Sequence, residues 1–236
     1  MFDEHGCVKG RQFQSGRRIG SVRDRLRLLE RRDVDEIFLI DISASRNNRA
    51  PRFSELSDLC SNLFCPVTIG GGVRSIGDFA RMFENGADKV SIGTAALATP
   101  GLIDQASRKW GAQAVVVAVD VKCGKVWLRC GLSDSGKDPV SWAKECEDRG
   151  AGEILLTSIE RDGMMQGYDL DLIRSVADAV SIPVVAAGGC GNYEHMNQAF
   201  KAGAHAVATG AMLQFTENTP KEAARYLQEH GIATRV

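Results

Sequence analysis

The feature that most constrains this chain is a stretch that occurs twice with a constant offset. In its first copy, residues 65–96, an apolar strand runs into three glycines, and a helix and a second glycine-ended strand follow. The second copy lies 117 residues later, so that Gly188 corresponds to Gly71 and Gly210 to Gly93. A constant offset with matched chemistry predicts two similar half-domains, each containing a βαβ unit.

The rest of the chain is predicted as strands followed by helices. The apolar runs at 36–41, 114–120 and 153–157 look buried on both faces, which indicates a parallel sheet. The first ten residues contain no convincing core strand, and residues 125–129 have hairpin character. We therefore predict an α/β (β/α)8 TIM barrel built from two half-barrel repeats, with its first strand truncated or missing. A doubly wound open sheet is the alternative, which the repeat disfavours.

Length and composition set further bounds. A chain of 236 residues suits a single (β/α)8-barrel domain over residues 1–236. A net charge of −1 and a pI near 6.4 argue against nucleic-acid or polybasic membrane binding. We expect a cytoplasmic protein, because no signal peptide and no apolar run near the ~20 residues of a membrane span is present. The seven scattered cysteines fit a reduced compartment and no metal-ligand spacing, so neither metal nor cofactor is expected.

Small residues at the predicted strand ends form two candidate phosphate cradles. Ligands of α/β folds bind at the carboxyl ends of parallel strands, where glycines let backbone N–H groups approach an anion. Glycines can also simply close tight turns, but their repeated pairing favours binding, and two opposed cradles suit a substrate with a phosphate at each end. The first cradle comprises Gly71, Gly72, Gly93 and Thr94, and the second comprises Gly163, Gly188, Gly189, Gly210 and Ala211.

Two aspartates are candidates for general acid/base catalysis. Asp120 ends its strand at the same edge as the cradles, and Asp162 lies in the loop after another strand. A carboxylate at this position can move protons during ring closure and elimination. The alternative for each is a structural aspartate that caps a helix or braces a loop.

Three charged residues lead apolar strands at the opposite end. Glu36, Lys89 and Glu153 each stand five residues before their strand-end position, so they should lie at one height at the barrel floor. A single leading charge is usually just solvated, whereas mixed charges repeated in phase predict a salt-bridged ring. His205, five residues before Gly210, is expected to flank it.

The glycine pairs, the Ala-Val-Asp strand end at 118–120 and the segment GEILLTSIERDG at 152–163 resemble the cyclase subunit of imidazole glycerol phosphate synthase. The likeness runs from about Gly6 to the C-terminus. Paralogues of that subunit, which partner glutamine amidotransferases in making acetamidino sugars of bacterial surface polysaccharides, are also similar. The sister isomerase of histidine synthesis matches the 152–163 loop less well.

The resemblance implies an ammonia-using lyase of histidine biosynthesis. Ammonia and a bis-phosphorylated ribulosyl aminoimidazole carboxamide would give imidazole glycerol phosphate and the aminoimidazole carboxamide ribotide. It also implies that Asp120 is one of two catalytic aspartates, that Lys9 lies in a mobile first loop, and that Asp41 and Thr157 line the mouth. The ring of Glu36, Lys89 and Glu153 would be an ammonia gate, facing a separate glutaminase at the N-terminal face of the barrel.

The chain departs from that family in several places. The second catalytic aspartate would end the first strand, where only Asp3 is near the required position. Gly93, Ala187 and Ala211 stand where the cyclase has asparagine, serine and serine, and the first loop lacks an acidic stretch. These departures keep three alternatives open: a paralogue acting on a nucleotide-linked acetamido sugar for lipopolysaccharide, a non-catalytic barrel that activates a glutaminase, and an unrelated phosphate-binding isomerase.

Overall fold

Parallel strands joined by helices make up most of the computed structural model, which describes residues 1–14, 16–61 and 63–235. Its strands are β1 (Phe2–Asp3), β2 (Gly6–Lys9), β3 (Arg17–Gly20), β4 (Ile37–Ile40), β5 (Val67–Gly70), β6 (Lys89–Ile92), β7 (Val115–Lys122), β8 (Lys125–Leu128), β9 (Ser133–Asp134), β10 (Glu153–Ser158), β11 (Val184–Ala187) and β12 (Ala206–Ala208). Its helices are α1 (Val22–Arg31), α2 (Ile42–Arg46), α3 (Phe53–Cys60), α4 (Ile76–Glu84), α5 (Thr94–Ala98), α6 (Gly101–Trp110), α7 (Pro139–Asp148), α8 (Leu170–Ala177), α9 (Tyr193–Lys201), α10 (Ala211–Phe215) and α11 (Pro220–Glu229).

The main sheet follows chain order from β4 through β5, β6, β7, β10 and β11 to β12, and every one of these pairings is parallel. A doubly wound sheet would reverse its strand order at a switch point, and no reversal occurs among these strands. The antiparallel strands β8 and β9 extend β7 as the predicted hairpin.

The sheet curls around an inner layer of side chains. Val116, Leu155 and Val185 form a buried inner cluster, against which Phe38 of β4 and Ala208 of β12 also pack. Since β4 and β12 lie at opposite ends of the strand order, their contact with one cluster requires the sheet to bend back on itself. The predicted barrel is confirmed.

The first strand is a stub. Phe2 makes a parallel bridge to Asp41, next to the end of β4, as a first barrel strand would. The chain then turns back through β2 and β3, which form an antiparallel three-stranded sheet with β1. This ribbon, which the sequence analysis did not predict, lies over the carboxyl ends of the barrel strands.

The two halves repeat in register as well as in sequence. Ile37 pairs with Val67 in the first half, and Ile154 pairs with Val184 in the second, again 117 residues later. Local signals fix the helices between strands: Ser75 and Asp78 form a capping box at α4. Among the described helices, none combines the length and apolar composition that crossing a membrane would need.

Candidate active site

A cavity of about 340 Å³ opens at the carboxyl ends of the barrel strands. Its lining includes residues of β4, β6, β7, β10, β11 and β12 and of the segment before α1, so it is the mouth of the barrel. Predicted site residues that line it are Lys9, Asp41, Gly71, Gly93, Thr94, Asp120, Thr157, Asp162, Gly188 and Gly210.

A smaller recess of about 20 Å³ adjoins the mouth. The whole predicted second cradle lines it, namely Gly163, Gly188, Gly189, Gly210 and Ala211. Gly72 of the first cradle lines neither the mouth nor the recess. Its N–H points toward α2 and donates to the Ser45 hydroxyl at 3.3 Å. The structure thus brings both cradles to the mouth, with Gly72 turned toward α2.

Asp120 lies within the mouth, directly across the strand pair from Thr157, but it does not end its strand as predicted, because β7 continues to Lys122 and pairs there with β8. Burial raises the pKa of Asp120 to about 7, the Thr157 hydroxyl opposes that shift by donating to the carboxylate, and the negative charge of Asp162 adds to it. A carboxyl group that titrates near neutral pH can both accept and donate a proton under physiological conditions. The site therefore contains a group suited to acid/base work.

Lys9, which is the last residue of β2 and not part of a loop as expected, joins the antiparallel ribbon to Asp162 in the loop after β10. The Lys9 Nζ lies 2.7 Å from the Asp162 Oδ1, and both residues are buried. The Gln12 N–H also donates to the Asp162 backbone carbonyl at 2.8 Å. A Cβ on Gly163 would lie 2.2 Å from the Gly10 carbonyl oxygen, so only glycine permits this approach of the loop after β2 to the loop after β10.

The glycines that follow β5 and β11 have matching geometry. Gly71 and Gly188 have positive φ angles of 101° and 85°. A Cβ would lie 2.2 Å from the Asp41 carbonyl oxygen at Gly71 and 2.5 Å from that of Ser158 at Gly188, and positions 41 and 158 are equivalent in the repeat. Both turns therefore require glycine for backbone packing, whether or not they also bind an anion.

Asp41 and Asp3 also reach the mouth, but each has protein partners. The Asp41 carboxylate caps α2 by accepting the Ser43 and Ala44 N–H groups, and it binds the Arg49 guanidinium at 2.7 Å. The Asp3 carboxylate accepts the His5 N–H at 2.8 Å. Asp41 therefore has an evident structural role in addition to its place in the lining.

The predicted ring forms at the opposite end of the barrel. The Lys89 Nζ lies 2.8 Å from the Glu36 Oε2 and 2.8 Å from the Glu153 Oε2, and the Thr68 hydroxyl donates to Glu36. Burial alone would lower the pKa of Lys89, but the hydrogen bonds to Glu153 and Glu36 outweigh it and raise that pKa. The three charges converge as their spacing predicts.

The expectation that His205 shares this phase is wrong by one residue. Ala206 pairs with Val185 as Lys89 pairs with Thr68, so Ala206 is the equivalent of Lys89, and His205 is the equivalent of Asp88. The side chains of Asp88 and His205 do not join the ring. Each accepts a backbone N–H at the start of the neighbouring strand, Asp88 from Val67 and His205 from Val184. A shift of one residue along a strand turns a side chain to the other face.

Several buried polar atoms in the mouth have no hydrogen-bond partner in the described part of the chain. Buried polar groups are nearly always paired in folded proteins, so unpaired ones that line a cavity are able to bind water or a polar ligand there. Three of these four residues were not predicted from the sequence: Arg46 and Gln214 lie on short helices, whereas Thr209 directly follows β12 at a strand end. The atoms are the Arg46 Nε, the Asp162 Oδ2, the Thr209 Oγ1 and the Gln214 Oε1.

Comparison with known proteins gives consistent matches over most of the chain. A family model described as "Histidine biosynthesis protein" matches residues 3–219. The imidazole glycerol phosphate synthase subunit HisF of Pyrobaculum aerophilum is 43% identical over 233 residues, which cover 97% of this chain and 92% of the relative. The corresponding subunits of Dictyoglomus turgidum and Dictyoglomus thermophilum are each 40% identical over 234 residues, with 97% and 93% covered.

Proposed function

The chain belongs to the histidine biosynthesis protein family that includes the HisF subunits, and on that premise we propose that it is the ammonia-using cyclase subunit of an imidazole glycerol phosphate synthase. Its substrates would be ammonia and a bis-phosphorylated ribulosyl aminoimidazole carboxamide. Its products would be imidazole glycerol phosphate and the aminoimidazole carboxamide ribotide. We place the enzyme in the cytoplasm, as its cysteine content favours.

One observation carries the proposal: Asp120, with a pKa of about 7, lies in a mouth that also contains both glycine cradles. A substrate with a phosphate at each end would lie across the mouth, held by backbone N–H groups at the two cradles. Its reacting centre would then face Asp120.

Asp120 would act as the general acid or base. Ring closure after ammonia addition requires protons to leave nitrogen and elimination requires one to reach the leaving group, and a carboxyl group near its pKa serves either step. Asp162 would be the second carboxyl group, held in place by Lys9, and Thr157 would orient Asp120. The antiparallel ribbon, fastened over the mouth by Lys9, would keep bulk water from the reaction.

Ammonia would enter from the floor, through the ring of Glu36, Lys89 and Glu153. We propose that a glutaminase subunit binds at this N-terminal face, because the relatives are described as subunits and the ring lies at the opposite end of the barrel from the mouth. Lys89 is bonded to both glutamates and is only about a quarter exposed, so its movement would open or close the passage.

The function is tested by incubating the purified chain with an ammonium salt and each candidate substrate. We expect conversion of the bis-phosphate without a partner, and loss of that activity in Asp120→Asn. Conversion of a nucleotide-linked acetamido sugar but not of the bis-phosphate would favour the paralogue, for which the alanines at 187 and 211 are the motivating departure. Turnover of neither substrate, together with stimulation of a glutaminase, would favour the non-catalytic barrel.

The partner and gate are tested separately. Lys89→Met should reduce glutamine-dependent turnover in the presence of the glutaminase more than it reduces turnover with ammonium salt. Lys137→Met, which removes a surface ion pair to Glu145, is the matched control and should change neither rate. Equal losses from both ammonia sources in Lys89→Met would contradict the gate.

A further inference from the structure

Arg46 is a cationic residue in the mouth to which the proposed mechanism gives no role. It is the last residue of α2, it is half-buried, and it lines the cavity. Neither the repeat nor the strand ends drew attention to it, because it follows β4 by six residues and lies on a five-residue helix.

Hydrogen bonds connect the position of Arg46 to both parts of the first cradle, through the Ser45 hydroxyl and through Arg129. The hydroxyl of the preceding residue, Ser45, accepts the Gly72 N–H at 3.3 Å. On the other side, the Arg129 side chain donates to the Arg46 carbonyl at 3.3 Å, while the Arg129 backbone N–H donates to the Thr94 hydroxyl at 2.8 Å. These contacts fix Arg46 beside the first cradle.

The Arg46 side chain is only partly satisfied by the protein. Its Nη2 donates to the Phe13 carbonyl of the first loop at 3.1 Å, but its Nε is buried and has no partner among the described residues. The nearby carboxylate of Asp41 is already bound to Arg49. A buried guanidinium N–H without an acceptor is unfavourable, and an anion in the cavity would provide one.

In the second half of the barrel, a different residue places a positive charge beside the cradle. The position equivalent to Arg46, 117 residues later, is Gly163, where the Gly10 carbonyl leaves no room for a side chain. The cation that lines the second cradle is instead Lys9, which β2 brings there from elsewhere in the chain. The glycines and Thr94 of the first cradle carry no charge, so Arg46 would be to that cradle what Lys9 is to the other.

We propose that Arg46 binds the substrate phosphate at the first cradle and thereby helps to select a doubly phosphorylated substrate. The inference rests on the proposed function and deepens it, by assigning a cationic ligand to each phosphate. An arginine can donate two parallel hydrogen bonds to a phosphate, which a lysine cannot reproduce. The competing role is purely structural, with Arg46 only holding the first loop through the Phe13 carbonyl.

Steady-state kinetics with ammonium salt and the bis-phosphate test the proposal. Because a hydrogen bond between charged groups is worth about 10- to 100-fold in affinity, Arg46→Gln should raise KM by about that factor and change kcat by less than about threefold. Arg46→Lys, which keeps the charge and is conservative for folding, should show an intermediate KM. Arg108→Gln, which makes the same charge change at an exposed site on α6, should match the parent protein.

Calorimetric titration with inorganic phosphate separates this inference from the proposed function, because it needs no turnover. The parent should bind phosphate at both cradles. Arg46→Gln should lose binding at the first cradle and keep it at the second. Lys9→Gln should lose binding at the second cradle and keep it at the first. If the chain binds phosphate in this pattern but converts no bis-phosphate, the proposed function fails and the role of Arg46 stands. If Arg46→Gln keeps the parental KM and the parental phosphate binding, Arg46 is a structural tether and the inference is wrong.

Discussion

The two ends of the barrel handle charge in opposite ways. At the floor, Lys89 is bonded to Glu36 and Glu153, so the cluster satisfies itself. At the mouth, the Arg46 Nε and the Asp162 Oδ2 are buried without partners. An unpaired buried polar group is destabilising, whereas a complete network is not. The charges at the floor are thus paired within the protein, whereas polar atoms at the mouth are left able to bind a ligand.

Asp120→Asn should have the largest effect on function at the mouth, because it removes the group there that titrates near neutral pH. General acid/base catalysis typically contributes about 10²–10⁴-fold, and we expect a loss of turnover of that size. The measurement is the ammonium-dependent rate. Unchanged turnover would exclude Asp120 as the catalytic acid or base.

Glycine substitutions at the mouth test whether the two halves share one backbone design. Gly71→Ala and Gly188→Ala place a Cβ against a carbonyl oxygen at positive φ, so each should lower the free energy of unfolding by about 3 kcal/mol. Gly77→Ala inside α4 is the matched control and should raise stability by about 0.5–1 kcal/mol. Urea denaturation measures all three, and a large effect at only one mouth position would contradict the symmetry of the halves.

Removing Lys89 tests whether the charges at the floor stabilise the fold by pairing with one another. Lys89→Met leaves two half-buried glutamates without their partner and should lower the free energy of unfolding by about 2 kcal/mol. Lys137→Met breaks an exposed ion pair, for which about 0–1 kcal/mol is typical. Equal losses in thermal or urea denaturation would mean that the ring is no more than a solvated ion pair.

The pH dependence gives the smallest but most specific effect. With a pKa of about 7, Asp120 goes from mostly protonated to mostly ionised between pH 6 and pH 8. As a base it would raise kcat/KM about tenfold over that interval, and as an acid it would lower it by a similar factor. The inflection should disappear from the residual activity of Asp120→Asn.

Stability should change in the opposite sense from a typical salt-bridged carboxylate. The folded-state pKa of Asp120 is raised above its unfolded value, so the folded protein binds this proton more tightly. The protonated Asp120 carboxyl group therefore contributes to the free energy of unfolding in full below about pH 4, and this contribution is lost as pH rises through about 7. Relative to the parent, Asp120→Asn should therefore become more stable as pH rises from 5 to 8.

The sequence predicted those features that repeat or that depend on local spacing. The constant offset of 117 residues located both cradles, and the shared phase of Glu36, Lys89 and Glu153 predicted that their side chains meet. Both signals are regular spacings along the chain, which can be read without knowing any particular long-range contact.

What the sequence did not predict depends on contacts between distant segments. The Arg46 contact to Phe13 spans 33 residues, and the Lys9 pair with Asp162 spans 153. The periodicity of a helix or a strand therefore predicts neither contact. The antiparallel ribbon β1–β3 pairs mainly with itself, and its strands are only two to four residues long, too short to show a clear alternation. Spacing from Gly210 places His205 one residue off, because the pairing of β11 with β12, and not the distance to a glycine, determines which residue is equivalent to Lys89.

The most direct test of the account is a crystal structure of the chain with the bis-phosphorylated ribulosyl aminoimidazole carboxamide bound. We predict one phosphate at the first cradle beside Gly71, Thr94 and Arg46, the other in the recess lined by Gly188 and Ala211, and the reacting centre facing Asp120. Both phosphates at one cradle, or a ligand bound at the floor, would contradict it.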